Sequence, residues 1–220
     1  MIKDISIHHI VQQLLDLQNK YARTPRKNVT GERLSYALVS KKEIDLADPS
    51  ICEPLIEHIG HLPIIATFLY PLLTHKSEVD IGKVLVMISI HDIAETETGD
   101  VLSYDKDDGH ARNEDSIARK LISPDLISYY EEFEAQESFD AKFAKAVDAL
   151  APILHEIDMP KLTLKRFAFH NFNSAKVESK KRKYFEWDQF LEEVFATVME
   201  AYAKLEKGEQ NGFRVLTDLN

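Results

Sequence analysis

Along most of the chain, apolar residues recur at three- and four-residue spacing instead of alternating, which predicts helices and no strands. From Asp4 as an N-cap, a first helix would place Ile7, Ile10, Val11, Leu14 and Leu15 on one face. Residues 53–74, EPLIEHIGHLPIIATFLYPLLT, are apolar nearly all round in their middle, as in a central helix, and Pro63 and Pro71 should each bend it. A third helix is capped by Asp80 and runs through VLVMISI to about Thr98, with Gly99 where helices place a C-terminal glycine. Further helices are predicted at 110–122, 124–136, 138–155 and 174–184. A last amphipathic one, at about 188–207, puts Phe190, Leu191, Val194, Phe195, Val198 and Tyr202 on a shared face. Residues 22–53 carry no such period and predict a long irregular connection, of the kind that in compact domains is more often functional than idle. With no internal repeat and no linker, residues 1–220 are expected to form a single all-α domain, a helical bundle.

Composition narrows the partners. At 44% hydrophobic and 29% charged residues the chain has the makings of a substantial core. Its 27 Lys and Arg against 37 Asp and Glu give a formal charge of −10, which repels polyanions and argues against a nucleic-acid polymer as partner. No stretch approaches the roughly 20 apolar residues that span a bilayer, so no membrane role is expected. The lone Cys52 excludes an internal disulfide and a multi-cysteine zinc site. The start, MIKDISIHHIVQQLL, lacks a long apolar signal region, and a cytoplasmic location is expected. A small anionic substrate requires a local cation to receive it.

The stretch HDIAETETGD, residues 91–100, supplies a place for one. Helical spacing sets Glu95 one turn beyond His91 and Asp92, and Gly99 lets the chain turn and bring Asp100 back toward that face. Ionised groups withdrawn from water at the end of an apolar helix are unfavourable unless neutralised, and a divalent cation does this directly. His58, between Leu55 and Leu62, and Asp148, within FAKAVDALAPIL, make the same demand from two other helices. His58, His91, Asp92 and Asp148 together offer two imidazoles and two carboxylates, which suit one divalent Mn, Co, Ni, Fe or Zn ion better than Ca or Mg. A metal lowers the pKa of its water, and Glu95 is placed to take the proton, so metal-assisted hydrolysis of a phosphate ester is the implied chemistry.

Each histidine taken singly reads as a hydrogen-bonded core residue, and it is the joint occurrence that argues for a metal. His61 is an alternative ligand, whereas His75, His110 and His155 read as surface or supporting residues. Lys106 reaches either a phosphate or solvent. KVESKKRK at 176–183 and EEFE at 131–134 read as solvated faces, and Trp187, Phe190 and Tyr184 as core or dimer contacts.

The order H, then HD, then D on helices resembles the HD superfamily of metal-dependent phosphohydrolases, and within it the bacterial 5′-deoxynucleotidase type. The resemblance rests on EHIGHL, HDIAETETGD, AKAVDAL and, more distantly, KKRKYFEWDQFLEEVF, which span most of the chain in order. It implies an HD-domain bundle with metal ligands at His58, His91, Asp92 and Asp148, and with Glu95 and Asp100 as the acids that orient water and substrate. It also implies a phosphate-contacting arginine, for which Arg23 is the first equivalent and Arg26 the next, a homodimer, and a nucleoside 5′-monophosphate as substrate. Where the family's nucleotidases follow that arginine with a tryptophan that helps reject ribose, Thr24 stands here. Two alternatives keep the same residues: hydrolysis of a diphosphate alarmone or cyclic nucleotide, and a nucleotide-sensing module whose metal is structural. The presence of both Glu95 and Asp100 favours an enzyme.

Overall fold

In the computed structural model, residues 6–23, 55–98, 107–158, 163–164, 167–168, 171, 173–209 and 213 are described, and every regular element among them is helical. In chain order these are α1 (Ile7–Arg23), α2 (Leu55–Leu69), α3 (Ile81–Ile90), α4 (Glu95–Thr98), α5 (Asp108–Leu121), α6 (Ile127–Ala135), α7 (Phe139–Asp158), α8 (Ser174–Lys181) and α9 (Gln189–Glu206). Short 3₁₀ turns occupy Tyr70–Leu72, Lys76–Glu78 and Arg182–Tyr184. The fold is all-α, as the periodicity predicts. Of the expected irregular connection at 22–53, only the end of α1 falls among the described residues. The described residues divide into two compact units, one drawn from 1–58 and 150–220 and the other from 59–149. Both divisions fall inside a continuous helix, one within α2 and the other within α7.

In the first unit α1 packs on α9. Ile10, Val11, Leu14 and Leu15 of α1 are buried, as are Leu191, Val194, Phe195, Val198 and Tyr202 of α9, each worth about 1.5–3 kcal/mol when fully removed from water. Just before α1, the Ser6 Oγ accepts the His9 N–H at 3.1 Å, and the expected cap Asp4 lies outside the described residues. Asp188 caps α9 by accepting the Leu191 N–H at 3.2 Å. Phe185 stacks on Phe195 with ring centroids 4.3 Å apart, and the Tyr202 hydroxyl donates to the Glu156 carboxylate. The aromatic face of the last helix is therefore core within this unit. In the basic run Val177 is buried, while Arg182 reaches Glu178 on α8 at 2.6 Å and Glu192 on α9 at 3.4 Å.

In the second unit α2 continues as α-helix through Pro63, and at Pro71 it gives way to the first 3₁₀ turn. Asp80 caps α3 as expected, accepting from the N–H groups of Gly82 at 2.8 Å and Lys83 at 3.4 Å. Its own N–H donates to the buried Asp140 at the start of α7, at 2.7 Å. Helix α3 does not run on to Thr98. It ends at Ile90, and a turn over residues 91–94 leads into the single-turn α4. The bonds there tighten to the 3₁₀ pattern, Ile93 N–H to Ile90 C=O at 3.2 Å and Glu95 N–H to Asp92 C=O at 3.0 Å. The hydroxyls of Ser89 and Thr96 donate to the Leu85 and Ile93 carbonyls, adding local partners along the segment where the α-helical pattern is lost. Below this turn Ala94 joins Ala118, Ile122 and Tyr130 in a small core, with Ile90 and Ile93 packed against it. No helix among the described residues is long and apolar enough to cross a membrane.

Candidate metal centre

Helix α2 supplies His58, the turn after α3 supplies His91 and Asp92, and α7 supplies Asp148. One donor atom from each of the four lies within 4.8 Å of the others. Residues far apart in sequence thus converge because two helices each present one polar position, and the turn after α3 presents two, among apolar neighbours. His91 is the most deeply placed, only 6% exposed. Its Nδ1 donates to the Ile88 carbonyl one turn back, at 3.1 Å, and its ring lies 4.9 Å from that of Phe133. That bond turns Nε2 toward Asp92 Oδ2 at 3.1 Å and Asp148 Oδ1 at 3.5 Å. Burial alone would push the imidazole pKa down, but the two carboxylates outweigh it and carry the group up to about 10. The site calls for a positive charge on Nε2, and either a proton or a metal ion provides it.

The four donors fit an ion. Ligand atoms held at about 2.1 Å stand roughly 3 Å apart in neighbouring positions and about 4.2 Å apart across the ion. Within the cluster His91 Nε2 stands 3.1 Å from Asp92 Oδ2 and 3.5 Å from Asp148 Oδ1, spacings close to those of neighbouring ligands, and all four donors lie within 4.8 Å of one another. His61 is buried one turn further along α2 but is not part of the cluster.

Glu95 is half-buried, and the 3₁₀ spacing stacks it nearly above Asp92, closer in register than an α-helix would allow. With His91 and Asp92 it lines a cleft of about 220 Å³, walled by Tyr130 and Phe133 and edged by Glu114, Asp115, Glu134 and Lys145. Burial first, and then Glu134 and Asp115, push the Tyr130 hydroxyl well above the usual phenol range, so it stays protonated. Lys145 enters through Asp148. Its Nζ is 2.8 Å from Asp148 Oδ2 and 5.1 Å from the Phe133 ring centre. Lys145 is not among the residues that the sequence pattern singles out, although its i, i+3 spacing to Asp148 on a helix is visible there.

The other sequence candidates are placed differently. Asp100, Lys106 and Arg26 lie outside the described residues, and Arg23 closes α1 with its side chain outside them as well. His75 stacks on Phe139, with centroids 5.3 Å apart, and His110 sits in the first turn of α5 with Nδ1 2.8 Å from Asp107. EEFE is not uniformly solvated, because Phe133 is buried and turned against His91.

Comparison with known proteins follows the same lines. Residues 43–187 match the family model of the HD domain. Among solved structures, the chain is similar to the crystal structure of a predicted metal-dependent phosphohydrolase from Magnetospirillum magnetotacticum MS-1. That likeness has a TM-score of 0.58 at 24% identity, covering 93% of this chain and all of that one, and it is a likeness of fold. No curated protein matches the chain.

Proposed function

The chain belongs to the HD domain family, and from that premise we propose that it is a metal-dependent phosphohydrolase of phosphomonoesters, with nucleoside 5′-monophosphates as its substrate class. The observation that carries this reading is the convergence of His58, His91, Asp92 and Asp148 within 4.8 Å, beside a cleft that Glu95 lines. The similar Magnetospirillum protein, described as a predicted metal-dependent phosphohydrolase, supports the coarser part of this reading, and the nucleotide substrate rests on the sequence resemblance.

His58, His91, Asp92 and Asp148 would hold one divalent ion, of the kind of Mn, Co, Ni, Fe or Zn. Such an ion supplies positive charge that acidifies a neighbouring water and polarises a phosphoryl oxygen. The chain's own residues do the rest. The bond from His91 Nδ1 to the Ile88 carbonyl fixes the tautomer and aim of the ring. Phe133 covers one side of that ring and limits water there. Glu95 accepts the proton of the attacking water, Asp100 positions the substrate, and Arg23, with Arg26 as the next choice, holds phosphate.

The test is phosphate release from ribo- and deoxyribonucleoside monophosphates, sugar phosphates, cyclic nucleotides and diphosphate alarmones. Chelator-stripped protein would be reloaded separately with Mn, Co, Ni, Fe and Zn, with Asp92→Ala as the blank. Metal-dependent release from the nucleoside monophosphates is the expected result. Release from another member moves the substrate class, and silence across the panel with metal stoichiometrically bound overturns the hydrolase reading.

A further inference from the structure

We propose that Lys145 receives the phosphoryl group of the substrate, an inference that rests on the phosphohydrolase reading above. The argument begins with charge. A divalent ion held by Asp92 and Asp148 together with two neutral imidazoles carries no net charge as a centre, because the two carboxylates cancel it. A phosphate dianion approaching that centre needs a further cation. Beyond the ion's own ligands, Glu95, Glu114 and Glu134 stand around the cleft and repel it, Asp115 is paired with Arg119 at 3.0 Å, and the basic side chain among the described residues of the lining is Lys145.

Position supports the same assignment. Asp148 divides its two oxygens, Oδ1 facing His91 at 3.5 Å and Oδ2 facing the Lys145 ammonium at 2.8 Å. The ammonium therefore stands one carboxylate away from where the ion would sit, within reach of an oxygen on the same phosphorus. Lys145 is one turn before Asp148 on α7, so the helix fixes the two relative to each other. Phe133 lies 5.1 Å from Nζ and holds the ammonium against an aromatic face at the cleft side, where a charge acts more strongly than in open water. Lysine's three donors let it keep Asp148 while binding a phosphate oxygen with another N–H.

The experiment measures binding of inorganic phosphate by calorimetry, on wild-type, Lys145→Met and Lys145→Arg proteins loaded with the same metal. Bound metal is counted per chain, and helix content is checked by circular dichroism. The methionine keeps length and packing without charge. The expected result is unchanged metal stoichiometry in all three, with phosphate bound about tenfold to a hundredfold more weakly by Lys145→Met and partly restored in Lys145→Arg. KM for the phosphomonoester should rise in the same order. Phosphate bound equally well by Lys145→Met overturns the proposal. So does loss of metal in Lys145→Met, which would make Lys145 a positioning residue for Asp148. A wild-type protein that loads metal, binds no phosphate and releases none from the substrate panel overturns the hydrolase reading itself, and is told apart by failing before any substitution is made.

Discussion

Nε2 of His91 stands 3.5 Å from Oδ1 of Asp148, while the opposite nitrogen of the same ring is committed to the Ile88 carbonyl. That approach is favourable only with a cation on Nε2, and proton and metal compete for the place. The competition has a sign. In metal-free protein the His91 pKa is raised from 6.5 to about 10, so its contribution to stability is complete below pH 6.5 and is lost as pH climbs toward 10. Metal must displace that proton, so metal affinity should rise with pH, by roughly tenfold per unit when one proton is released. Thermal unfolding at pH 6, 7.5 and 9 should show stripped protein weakening as pH rises, with the increment from added metal growing. Parallel pH trends with and without metal would remove His91 from the ligand set.

Glu95 shares the cleft with His91 and Asp92 but is outside the cluster of four donors. Binding and chemistry should therefore separate. Glu95→Gln is expected to keep full metal stoichiometry and lose about 10²- to 10⁴-fold in kcat, the usual range for a removed general base. Turnover unchanged with metal bound would take the proton-accepting role away from Glu95.

A chain of hydrogen bonds also anchors the start of the helix that leads to the site. Asp140 accepts the Asp80 N–H at 2.7 Å, and Asp80 in turn caps α3, the helix whose C-cap is His91. Asp140→Ala leaves that N–H without its acceptor and should lower stability by about 1–3 kcal/mol, while Asp80→Ala, losing the cap, should lower it by about 0.5–2 kcal/mol. Because the two act through one strand of contacts, the double variant should cost less than the sum of the singles in urea unfolding. Strict additivity would show that they act independently.

How far the chain could be read in advance follows from which forces are local. Helix content and buried faces were legible, because apolar spacing on α1 and α9 reports directly on burial: Ile10, Val11, Leu14 and Leu15 turn inward, as do Val194, Phe195 and Val198. His58, His91, Asp92 and Asp148 stood out as polar residues in apolar runs, and such residues need one another. The break at His91 was not legible, since it depends on hydroxyl bonds from Ser89 and Thr96 and on the Ala94 core, and hydrophobic period carries neither. Lys145 was missed because a lysine on a helix is ordinarily solvated. Only the position of Asp148 and Phe133 around it gives it a second meaning.

The last helix offers a test of packing that is independent of the metal. Phe195 is completely buried, stacked on Phe185 at 4.3 Å, and Arg182 lies over its ring at 5.9 Å. The Phe185 ring forms one wall around it, and Asp188 caps the start of the same helix. Phe195→Ala should therefore sit within the range of about 3–5 kcal/mol for phenylalanine truncation. Phe195→Leu, which refills most of the volume, should recover more than half of the loss. Urea unfolding of the two variants decides between this account and a surface role for the face. If Phe195 served mainly as an intermolecular contact, the wild-type midpoint would rise with protein concentration, and truncation would abolish that dependence while leaving the dilute protein nearly as stable as wild type.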